Sequence, residues 1–416
     1  MKRVAVVGGG VIGLSAAWHL SRRGAHPIVV DAGRTGGECS QGNAGWICPS
    51  ISTPLPNPSL TGRAILDMMK PGSPLHIKPT ALPGLRPWLK RFRSHCREAD
   101  YRHGLQALAS LNAHTFRLFE EWQDAGVEFE YRRDGLLVVF RRPDKLAAAE
   151  EETRSTTALT GTPCRTLTAA ELVELEPTLQ EGLAGGLFLE GEAHVRPESL
   201  TRGIHRDLVA RGVEVREQER VTGLRWDGDH VRAVETEGSA ILVDAVVLAA
   251  GAETGPLAAW CEWSLPITAG KGYSVTFKAP PSPPRRPLYL GDAKVGITPF
   301  AGTVRAAGTM ELSGVNRDLD SRRLKSVRKA IGTYIDLGLD GATMETGGTE
   351  WVGMRPMVPD TLPVMGQIPG RPNVYVSTGH QMLGVTLSAV SGWALAGLIL
   401  DGRPPLDLAP FSPARF

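Results

Sequence analysis

The chain has 416 residues, which is enough for two domains with a large core. Its 46 lysines and arginines nearly balance 44 aspartates and glutamates, so a formal net charge of +2 gives no reason to expect nucleic acid as a partner. No apolar run reaches the roughly 18 residues of a membrane-spanning helix. The opening Met-Lys-Arg leads directly into a predicted strand, so we expect no signal peptide.

The cysteine pattern indicates thiols rather than disulfides or a metal site. The five cysteines are an odd number, and they form neither a C-x-x-C pair nor a zinc-type cluster with histidine. They are Cys39, Cys48, Cys96, Cys164 and Cys261. We therefore expect a cytoplasmic protein with reduced thiols and no metal.

The first 31 residues predict a strand, a turn, a helix and a second strand. Val4–Val7 is a short apolar strand, and helix-forming residues run from Val11 to about Arg23. Gly24 ends the helix. Ile28–Val30 forms the next strand, which ends at Asp31. This order is that of the first half of a dinucleotide-binding fold.

Three glycines occupy the turn with the spacing G-x-G-x-x-G. Gly8 permits the tight turn, Gly10 lets the backbone approach a pyrophosphate, and Gly13 lets helix and strand pack closely. The helix N-terminus then faces the phosphate charge. Asp31 follows Gly13 by 18 residues, where a carboxylate accepts hydrogen bonds from an adenosine ribose. The motif predicts an adenine dinucleotide without a 2′-phosphate and leaves FAD and NAD open.

Three later segments are also rich in small residues and are predicted to lie beside the ligand. The glycine-rich loop 33–45 precedes three apolar residues, so we expect it to be buried against a planar group. Ala245–Ala252 reads as a buried strand that runs into a small-residue turn. Val374–Ser377 leads through a glycine turn into a helix from about Val385 to Leu400, which places a second helix N-terminus near the ligand.

The middle of the chain predicts a mixed sheet with helices, separate from the nucleotide fold. One long helix is expected from Gly104 to Asp124. Strands at Val127–Tyr131 and Leu136–Phe140 flank the turn dipeptide Asp134-Gly135. A basic helix at about Leu324–Leu337 is predicted to carry its cations on a solvated face.

The segment 51–94 is rich in proline, and its residues 85–93 alternate basic and apolar side chains. One interpretation is peripheral contact with an anionic membrane surface. We favour the other interpretation, a helix whose Lys and Arg side chains are solvated while its apolar face packs on the protein.

Five stretches of the chain resemble the FAD-dependent D-amino-acid oxidase and dehydrogenase superfamily, in order and spacing over nearly the whole length. The stretches are Val7–Gly13, Gly42–Gly45, Lys271–Ser274, Trp351–Gly366, and Thr378–His380 with Leu383-Gly384. The chain is most similar to bacterial D-amino-acid dehydrogenases, including the D-hydroxyproline dehydrogenase type. It departs from them at Gln381-Met382, and at Ala193–Pro197 it looks more like proline-type and glycine-oxidase relatives. Both departures concern the substrate rather than the cofactor.

The resemblance implies an α/β (α+β) fold with two domains. Residues 1–60, 195–265 and 341–416 would form a Rossmann-type FAD-binding domain. Residues 61–194 and 266–340 would form a mixed-sheet substrate-binding domain. Because no cysteine lies where sarcosine-oxidase relatives attach their flavin, the FAD is expected to be bound non-covalently.

The resemblance also implies an oxidative deamination, in which a hydride passes from Cα of a D-amino acid to flavin N5 and the electrons pass to a quinone or another acceptor. Dehydrogenation of D-proline or cis-4-hydroxy-D-proline, and a glycine- or sarcosine-type oxidase that uses O2, remain open. So does a flavin subunit that requires a partner protein, whereas an NAD dehydrogenase would leave the carboxy-terminal motifs without a role. The protein would be cytoplasmic or peripheral on the inner face of the membrane.

Four residues are candidates for the chemistry that the resemblance implies. Arg355 lies where the family binds the substrate carboxylate, and a guanidinium suits that task because it pairs bidentately. Tyr273 would donate a second hydrogen bond or close the pocket, or else be a core tyrosine. His380 would contact the flavin edge or fix its turn, and His194 is the weakest candidate because lone histidines are often structural.

The cofactor is expected to touch backbone and small side chains from all the FAD-binding segments. The residues expected there are Gly8, Gly10, Val11, Ile12, Gly13, Asp31, Ala32, Ser40, Asn43, Ala44, Gly45, Val221, Ala250, Gly251, Gly353, Arg355, Gly379, His380, Leu383, Gly384, Val385 and Thr386.

Overall fold

The protein is described by a computed structural model that covers residues 1–60, 68, 70 and 73–416. The first residues of the predicted substrate-binding segment, 61–67, therefore lie outside the described part of the chain. The described helices are α1 Val11–Arg22, α2 Leu82–Ser94, α3 Glu98–Asn112, α4 Thr115–Asp124, α5 Pro143–Thr160, α6 Ala169–Leu175, α7 Pro197–Ala210, α8 Thr254–Ala259, α9 Ser321–Tyr334, α10 Gly341–Thr346 and α11 Ser388–Asp401.

The strands form two large sheets and two small ones. The described strands are β1 Arg3–Val7, β2 His26–Val30, β3 Trp46–Ile47, β4 Leu75–Ile77, β5 Tyr131–Arg132, β6 Leu136–Phe140, β7 Cys164–Leu167, β8 Gly185–Leu189, β9 Ala193–Val195, β10 Glu214–Arg216, β11 Val221–Asp227, β12 His230–Thr236, β13 Ala240–Leu242, β14 Ala245–Leu248, β15 Thr268–Lys278, β16 Leu288–Leu290, β17 Val295–Phe300, β18 Thr303–Leu312, β19 Thr349–Met357, β20 Val364–Gln367 and β21 Val374–Thr378.

The amino-terminal motif forms the predicted strand, helix and strand at the centre of a six-stranded sheet. The strand order is β10-β2-β1-β14-β21-β20, and the first five strands are parallel. Their apolar runs are buried on both faces, as a parallel sheet between covering layers requires. Helix α1 packs closely on α11, because Gly392 has no side chain where a Cβ would lie 2.2 Å from the Ser15 hydroxyl.

Parallel pairing brings four loops to one edge of this sheet. The carboxyl ends of β1, β2, β14 and β21 lie side by side, so the segments that follow them are neighbours. These segments are the glycine turn 8–13, Asp31, the turn 249–251 and the turn 379–384. The sequence stretches that predicted a dinucleotide site therefore converge from far apart in the chain.

The second large sheet has nine strands in the order β19-β15-β18-β17-β16-β6-β8-β7, with β4 paired to β18. Helix α9 packs on one face, where Leu324, Val327 and Ile331 join a buried apolar cluster. Strand β19 belongs to this sheet, although its residues fall in the segment predicted to bind FAD.

Three predicted elements are corrected by the structure. The strand predicted at Val127–Tyr131 is only Tyr131–Arg132 and pairs with β9, whereas Leu136–Phe140 is a strand as predicted and pairs with β8 and β16. The helix predicted at Gly104–Asp124 is two helices, α3 and α4. In α9, Arg322, Lys325 and Lys329 are exposed as predicted. Arg323 and Arg328 are instead buried in ion pairs with Glu311 and Glu350.

Residues 82–94 form the helix that the sequence favoured, with its apolar residues inside. Leu85, Trp88 and Phe92 of α2 are buried against a cluster that includes Met310 and Met357. The Trp88 indole donates a hydrogen bond to the Met357 carbonyl at 3.2 Å. Within the described residues, no helix combines the length and the apolar character that crossing a bilayer requires.

Candidate active site

The glycine turn has the close contacts that its spacing predicts. Gly8 adopts a φ of +108°, and a Cβ there would lie 2.5 Å from the Ala249 carbonyl oxygen of the neighbouring strand. A Cβ on Gly13 would lie 1.9 Å from the Gly8 carbonyl oxygen. Backbone packs directly on backbone at both positions, so only glycine fits.

The start of α1 and the end of β2 present polar groups to the same edge. The Asp31 carboxylate accepts hydrogen bonds from the amides of Gly9 at 2.6 Å and Gly33 at 2.7 Å. The Val11 amide, in the first turn of α1, donates to the Ser40 hydroxyl at 3.0 Å. Asp31 thus stabilises the turn while its remaining lone pairs can accept a sugar hydroxyl.

The loop 41–46 is tied down by buried polar side chains of the nine-stranded sheet. The Ser274 hydroxyl donates to the Gly42 carbonyl at 2.7 Å, and the Thr298 hydroxyl donates to the Ala44 carbonyl at 2.8 Å. Arg305 donates to the carbonyl of Asn43 at 3.0 Å. The Gly45 carbonyl accepts from the Val195 amide at 2.8 Å. This loop therefore links the nine-stranded sheet to the small sheet of β3, β9 and β5.

The turn after β14 and the end of β21 also meet. The Thr378 hydroxyl donates to the Gly251 carbonyl at 2.9 Å. The backbone of Gly251 has a φ of +56°, and a Cβ built there meets no atom within 4 Å. Val221 is also among the expected cofactor residues. It lies near Asp31, because the amide of Glu219, two residues earlier, donates to the Asp31 carbonyl at 2.9 Å.

Gly353 faces protein rather than open space. A Cβ on Gly353 would lie 2.0 Å from the Trp351 ring, and one on Gly42 would lie 2.1 Å from the same ring. The Trp351 side chain therefore packs between the loop 41–46 and strand β19.

Arg355 lies on the same face of the nine-stranded sheet as this loop. Its guanidinium covers Gly272, where a Cβ would lie 2.3 Å from the Arg355 Cζ. It donates to the Thr309 carbonyl at 2.9 Å, and among the described residues no carboxylate pairs with it. Burial by the surrounding protein lowers the pKa of Arg355, although its side chain keeps accessible surface. The guanidinium thus lines a recess and retains free donors.

Three residues that the sequence did not single out for the site surround this recess. The Arg355 charge opposes the effect of burial at Cys39 and Tyr289, but burial still raises the pKa of Cys39 to about 11 and that of Tyr289 to about 12. The Tyr289 ring packs edge-on against Trp46, with ring centroids 5.4 Å apart. The only sequence signal for Tyr289 was a short apolar run between proline-rich turns, which resembles any buried strand.

Tyr273 requires a correction, because it lies in the core and cannot close the Arg355 pocket. Strand β15 pairs Gly270 with Arg355 and Tyr273 with Val352, so Tyr273 and Arg355 lie on opposite faces of the sheet. The Tyr273 hydroxyl donates to the buried Glu311 at 3.1 Å. The structure therefore agrees with the alternative that treated Tyr273 as a core residue.

The two histidines are also buried. His380 lies in the turn after β21 and bonds the Ser391 hydroxyl of α11 at 2.8 Å, and burial lowers its pKa to about 3. His194 lies in the small sheet beside Phe300, and burial lowers its pKa to about 4. Both imidazoles are thus neutral at physiological pH. The contact of His380 with the flavin edge and a role of His194 in the chemistry stay predictions.

The carboxy-terminal turn differs from its prediction at one point. Helix α11 begins at Ser388, three residues later than predicted, so Val385 and Thr386 belong to the turn that precedes it. The Thr386 hydroxyl donates to the Trp46 carbonyl at 3.0 Å and accepts from the Cys48 amide at 3.3 Å. Leu383 and Gly384 remain partly accessible in the same turn.

The edge of the six-stranded sheet fits an adenine dinucleotide. The open approach at Gly251, the α1 N-terminus without an acidic residue in its first turn, and the Asp31 carboxylate match the needs of its backbone, phosphates and ribose. The structure brings together most of the expected cofactor residues there or in the adjoining loop 41–46. Four of them, Val11, His380, Val385 and Thr386, have buried side chains.

A comparison with known families now identifies the class that this site defines, a flavin-dependent oxidoreductase. Residues 3–398 match the family described as FAD dependent oxidoreductase. The match covers almost the whole chain, and this protein therefore belongs to that family.

Curated relatives agree with this assignment. The chain is 30% identical to a D-amino acid dehydrogenase of Neisseria meningitidis serogroup C, over 95% of each chain. It is 31% identical to a D-amino acid dehydrogenase of Methylobacterium radiotolerans, over 97% of this chain and 96% of the relative.

Solved structures share the fold at lower identity. Glycine oxidase from Geobacillus kaustophilus superposes with a TM-score of 0.76 at 23% identity, over 100% of both chains. L-Proline dehydrogenase from P. horikoshii superposes with a TM-score of 0.75 at 16% identity, over 100% of this chain and 97% of the other. An L-α-glycerophosphate oxidase from Mycoplasma pneumoniae, solved with FAD bound, gives 0.72 at 17% identity, over 96% of this chain and 95% of the other.

Proposed function

We propose that this protein oxidises the Cα–N bond of a D-amino acid to an imino acid, which water then hydrolyses. Bound FAD supplies the acceptor for the hydride that leaves Cα, and a quinone or another acceptor takes the electrons afterwards. The naming of relatives at about 30% identity as D-amino acid dehydrogenases supports the substrate class.

The observation that supports the proposal most is that Arg355 has no carboxylate partner among the described residues. A guanidinium that is largely removed from water is costly unless it is paired, and this partly accessible one has a single carbonyl acceptor and no carboxylate among the described residues. A substrate carboxylate would satisfy its remaining donors in a bidentate pair. Arg355 would thereby fix the position of Cα, because the carboxylate is attached to that carbon.

Tyr289 and Trp46 would complete the substrate pocket. With a pKa raised to about 12, the Tyr289 phenol stays protonated at neutral pH and can donate a hydrogen bond to the bound carboxylate. The Trp46 ring, held by a hydrogen bond to Thr298 at 2.9 Å, offers an apolar wall for the substrate side chain. Neither residue needs to act as a base if the bound amine is neutral.

The six-stranded sheet would hold the cofactor, and the nine-stranded sheet the substrate. We infer that the glycine turn, Asp31 and the turn at Gly251 bind the adenosine and phosphates without a covalent link. The loop 41–46 and the turn 379–384 would contact the isoalloxazine. The loop's anchoring by Ser274, Thr298 and Arg305 supports this assignment, because a rigid loop positions a planar ring better than a mobile one.

The experiment that tests this function is anaerobic reduction of the purified protein by single amino acids. A flavin band near about 450 nm should be present, and D-amino acids should bleach it while their L-enantiomers do not. The panel includes D-proline, cis-4-hydroxy-D-proline, glycine and sarcosine. Bleaching by one of these alone would replace the proposed substrate class. Peroxide formation in air would show that O2, rather than a quinone, accepts the electrons.

A variant pair tests the role of Arg355. Arg355→Ala should raise KM on the order of 100-fold, because a charged hydrogen-bonded pair is lost, while FAD stays bound. Arg355→Lys should be intermediate, since a lysine keeps the charge but loses the fork. An unchanged KM in Arg355→Ala would remove the assignment of the carboxylate site.

A further inference from the structure

The loop that joins β16 to β17 ends in a strained lysine. Lys294 has a φ of +56°, in the left-handed region, and its amide donates to the Leu290 carbonyl at 2.8 Å. Tight hairpin loops usually place glycine or asparagine at such a position, because a larger side chain is strained there. Strained residues of this kind are concentrated at functional sites. The outlier therefore marks Lys294 as a candidate functional residue.

This loop lies next to the carbonyl that binds Arg355. Strands β17 and β18 pair Val295 with Gly308, and a Cβ on Gly308 would lie 3.2 Å from the Lys294 carbonyl oxygen. The carbonyl of the next residue, Thr309, accepts the Arg355 hydrogen bond at 2.9 Å, and Thr309 also has a positive φ, of +58°. Two strained residues thus meet on neighbouring strands, and Lys294 borders the recess that Arg355 lines.

The Lys294 side chain lies against the wall of that recess. Its Nζ lies 5.5 Å from the centroid of the Tyr289 ring. Tyr289 packs against Trp46, and the Trp46 ring covers Gly296, where a Cβ would lie 2.4 Å from that ring. Lys294 keeps accessible surface, although burial by the surrounding protein lowers its pKa. Accessible surface together with a partly desolvated ammonium is typical of a group at the edge of a recess.

The charge of Lys294 is available to a ligand. Among the described residues, no carboxylate forms an ion pair with it, and the charges of Glu152 and Asp292 act from farther away and favour its protonated form. The charge of Lys145 opposes them. Arg355 is not among the charges that act on Lys294, so the two cations are too far apart to bind one carboxylate together. A ligand that pairs with both cations therefore needs two anionic groups.

We propose that Lys294 binds a carboxylate on the substrate side chain, so that the preferred substrates are the acidic D-amino acids D-glutamate and D-aspartate. This inference rests on the proposed function and narrows its substrate class. The α-carboxylate would pair with Arg355, and the side chain would extend along Tyr289 and Trp46 toward the Lys294 ammonium. An ammonium offers three donors and a compact charge to a carboxylate, whereas a neutral carboxamide gains much less from that charge.

The test compares substrates that differ in charge but hardly in shape. D-Glutamate is paired with D-glutamine, and D-aspartate with D-asparagine. Anaerobic stopped flow on the full-length holoenzyme gives the apparent second-order rate constant of flavin reduction for each amino acid. The wild type should favour the acid over its amide by about tenfold or more in at least one pair, the effect of one hydrogen bond between charged groups. Equal rate constants in both pairs, or faster reduction by the amides, would overturn the proposal.

Three variants of Lys294 test whether this side chain sets the ratio of acid to amide. Lys294→Met keeps the length of the side chain and removes its charge, so the ratio should fall close to one. Lys294→Arg should keep most of the ratio, because the charge is retained. Lys294→Glu should invert it, because a carboxylate repels the acid. A wild-type ratio in Lys294→Met, measured on protein that retains its flavin, would contradict the assignment.

A nearby lysine provides the matched control. Lys145, on α5, is exposed, and its charge acts on Lys294. Lys145→Met should leave the ratio of acid to amide at its wild-type value, because solvent screens an exposed charge that does not touch the substrate. An equal loss of the ratio in Lys145→Met and Lys294→Met would attribute the preference to the general field of this surface and would overturn a contact with Lys294.

D-Alanine separates this inference from the proposed function, because it has no polar side chain for Lys294 to bind. If D-alanine reduces the flavin while acid and amide are equivalent, the inference about Lys294 fails and the proposed function stands. If neither D-alanine nor any other D-amino acid reduces the flavin, the proposed function itself is overturned.

Discussion

At the scale of single residues, Arg355 differs from the other buried arginines of the same sheet and its helix. Arg305, Arg323 and Arg328 each have a carboxylate partner, at 2.5, 3.9 and 2.9 Å. Those pairs are internal and leave little for a ligand. Arg355 instead donates one hydrogen bond, to the Thr309 carbonyl. The difference in partners, rather than burial, marks Arg355 as a binding residue.

Two tyrosines allow a matched test of the pocket. Tyr289→Phe should raise KM by about tenfold, the value of one hydrogen bond to a charged group, with little change in stability. Tyr273→Phe should leave KM unchanged and lower the free energy of unfolding, because Glu311 loses a buried partner. Steady-state kinetics and urea unfolding of both variants measure this. The reverse pattern would restore Tyr273 to the site.

Glu192 should make stability depend on pH. This carboxyl is buried, which raises its pKa to about 7 despite hydrogen bonds from Ser50 and Cys48 and the positive charge of Arg133. A raised pKa means that the neutral form is stabilised in the fold, so stability falls as pH rises from about 4.5 through 7.

The variant Glu192→Gln tests this directly. The amide keeps an acceptor for the Ser50 amide and cannot ionise, so its free energy of unfolding should fall less than that of the wild type over the same range. Urea unfolding at pH 5 and pH 8 gives both values. Parallel pH profiles for the two proteins would show that Glu192 does not titrate there.

The residue scale also shows what sequence alone cannot give. Arg355 could be selected because the resemblance places the family's carboxylate-binding arginine at this position. Tyr273 and Tyr289 are indistinguishable by pattern, since both lie in apolar strands. Which of them faces Arg355 depends on the register of β15 against β19 and of β16 against β17, and non-local pairing determines both registers.

At the scale of elements, the glycine turn depends on contact between backbones. Gly13→Ala should destabilise the protein and weaken FAD binding, because its Cβ would overlap the Gly8 carbonyl oxygen at 1.9 Å. The control is Gly332→Ala in α9, where a Cβ meets no atom within 4 Å. That change should raise stability by up to about 1 kcal/mol through helix propensity.

Thermal unfolding and FAD titration of the two alanine variants measure these effects. Wild-type affinity in Gly13→Ala would mean that the turn opens without cost and that the close contact is not required.

Local sequence signals predict where an element lies better than they predict which strands it pairs with. Thr168 and Glu171 form the capping box that the Thr-x-x-Glu pattern predicts, because this motif needs only four consecutive residues. Gly135 does turn the chain, with a φ of +76°, but the segments on either side of Asp134-Gly135 do not pair with each other. Strand β6 instead gains two long-range partners in the interior of the nine-stranded sheet, which no local pattern reports.

At the scale of the whole molecule, distant segments of the chain complete one site. The six-stranded sheet takes strands from residues 3–30, 214–216, 245–248 and 364–378. The loop 41–46 is bonded to the nine-stranded sheet by Ser274 and to the small sheet of β3, β9 and β5 by the Val195 amide. Sequence motifs identified these segments, but their convergence required the pairing of parallel strands.

A ligand that bridges such segments should stabilise the entire fold. Removal of FAD should lower the midpoint of thermal unfolding, and added FAD should restore it in proportion to its concentration. Saturation at 100 times the dissociation constant corresponds to roughly 2.7 kcal/mol. Differential scanning calorimetry at several FAD concentrations measures the dependence. A midpoint of thermal unfolding that does not respond to FAD would contradict the proposal that the cofactor bridges these segments.

The most direct measurement of the central claim compares a substrate with its carboxamide. In anaerobic stopped flow, D-alanine should reduce the bound flavin of the wild type. D-Alaninamide should reduce it far more slowly, because it has no carboxylate for Arg355 to bind. In Arg355→Ala the two rates should converge. If the wild type does not distinguish the acid from the amide, or if Arg355→Ala preserves the distinction, carboxylate recognition by Arg355 is contradicted.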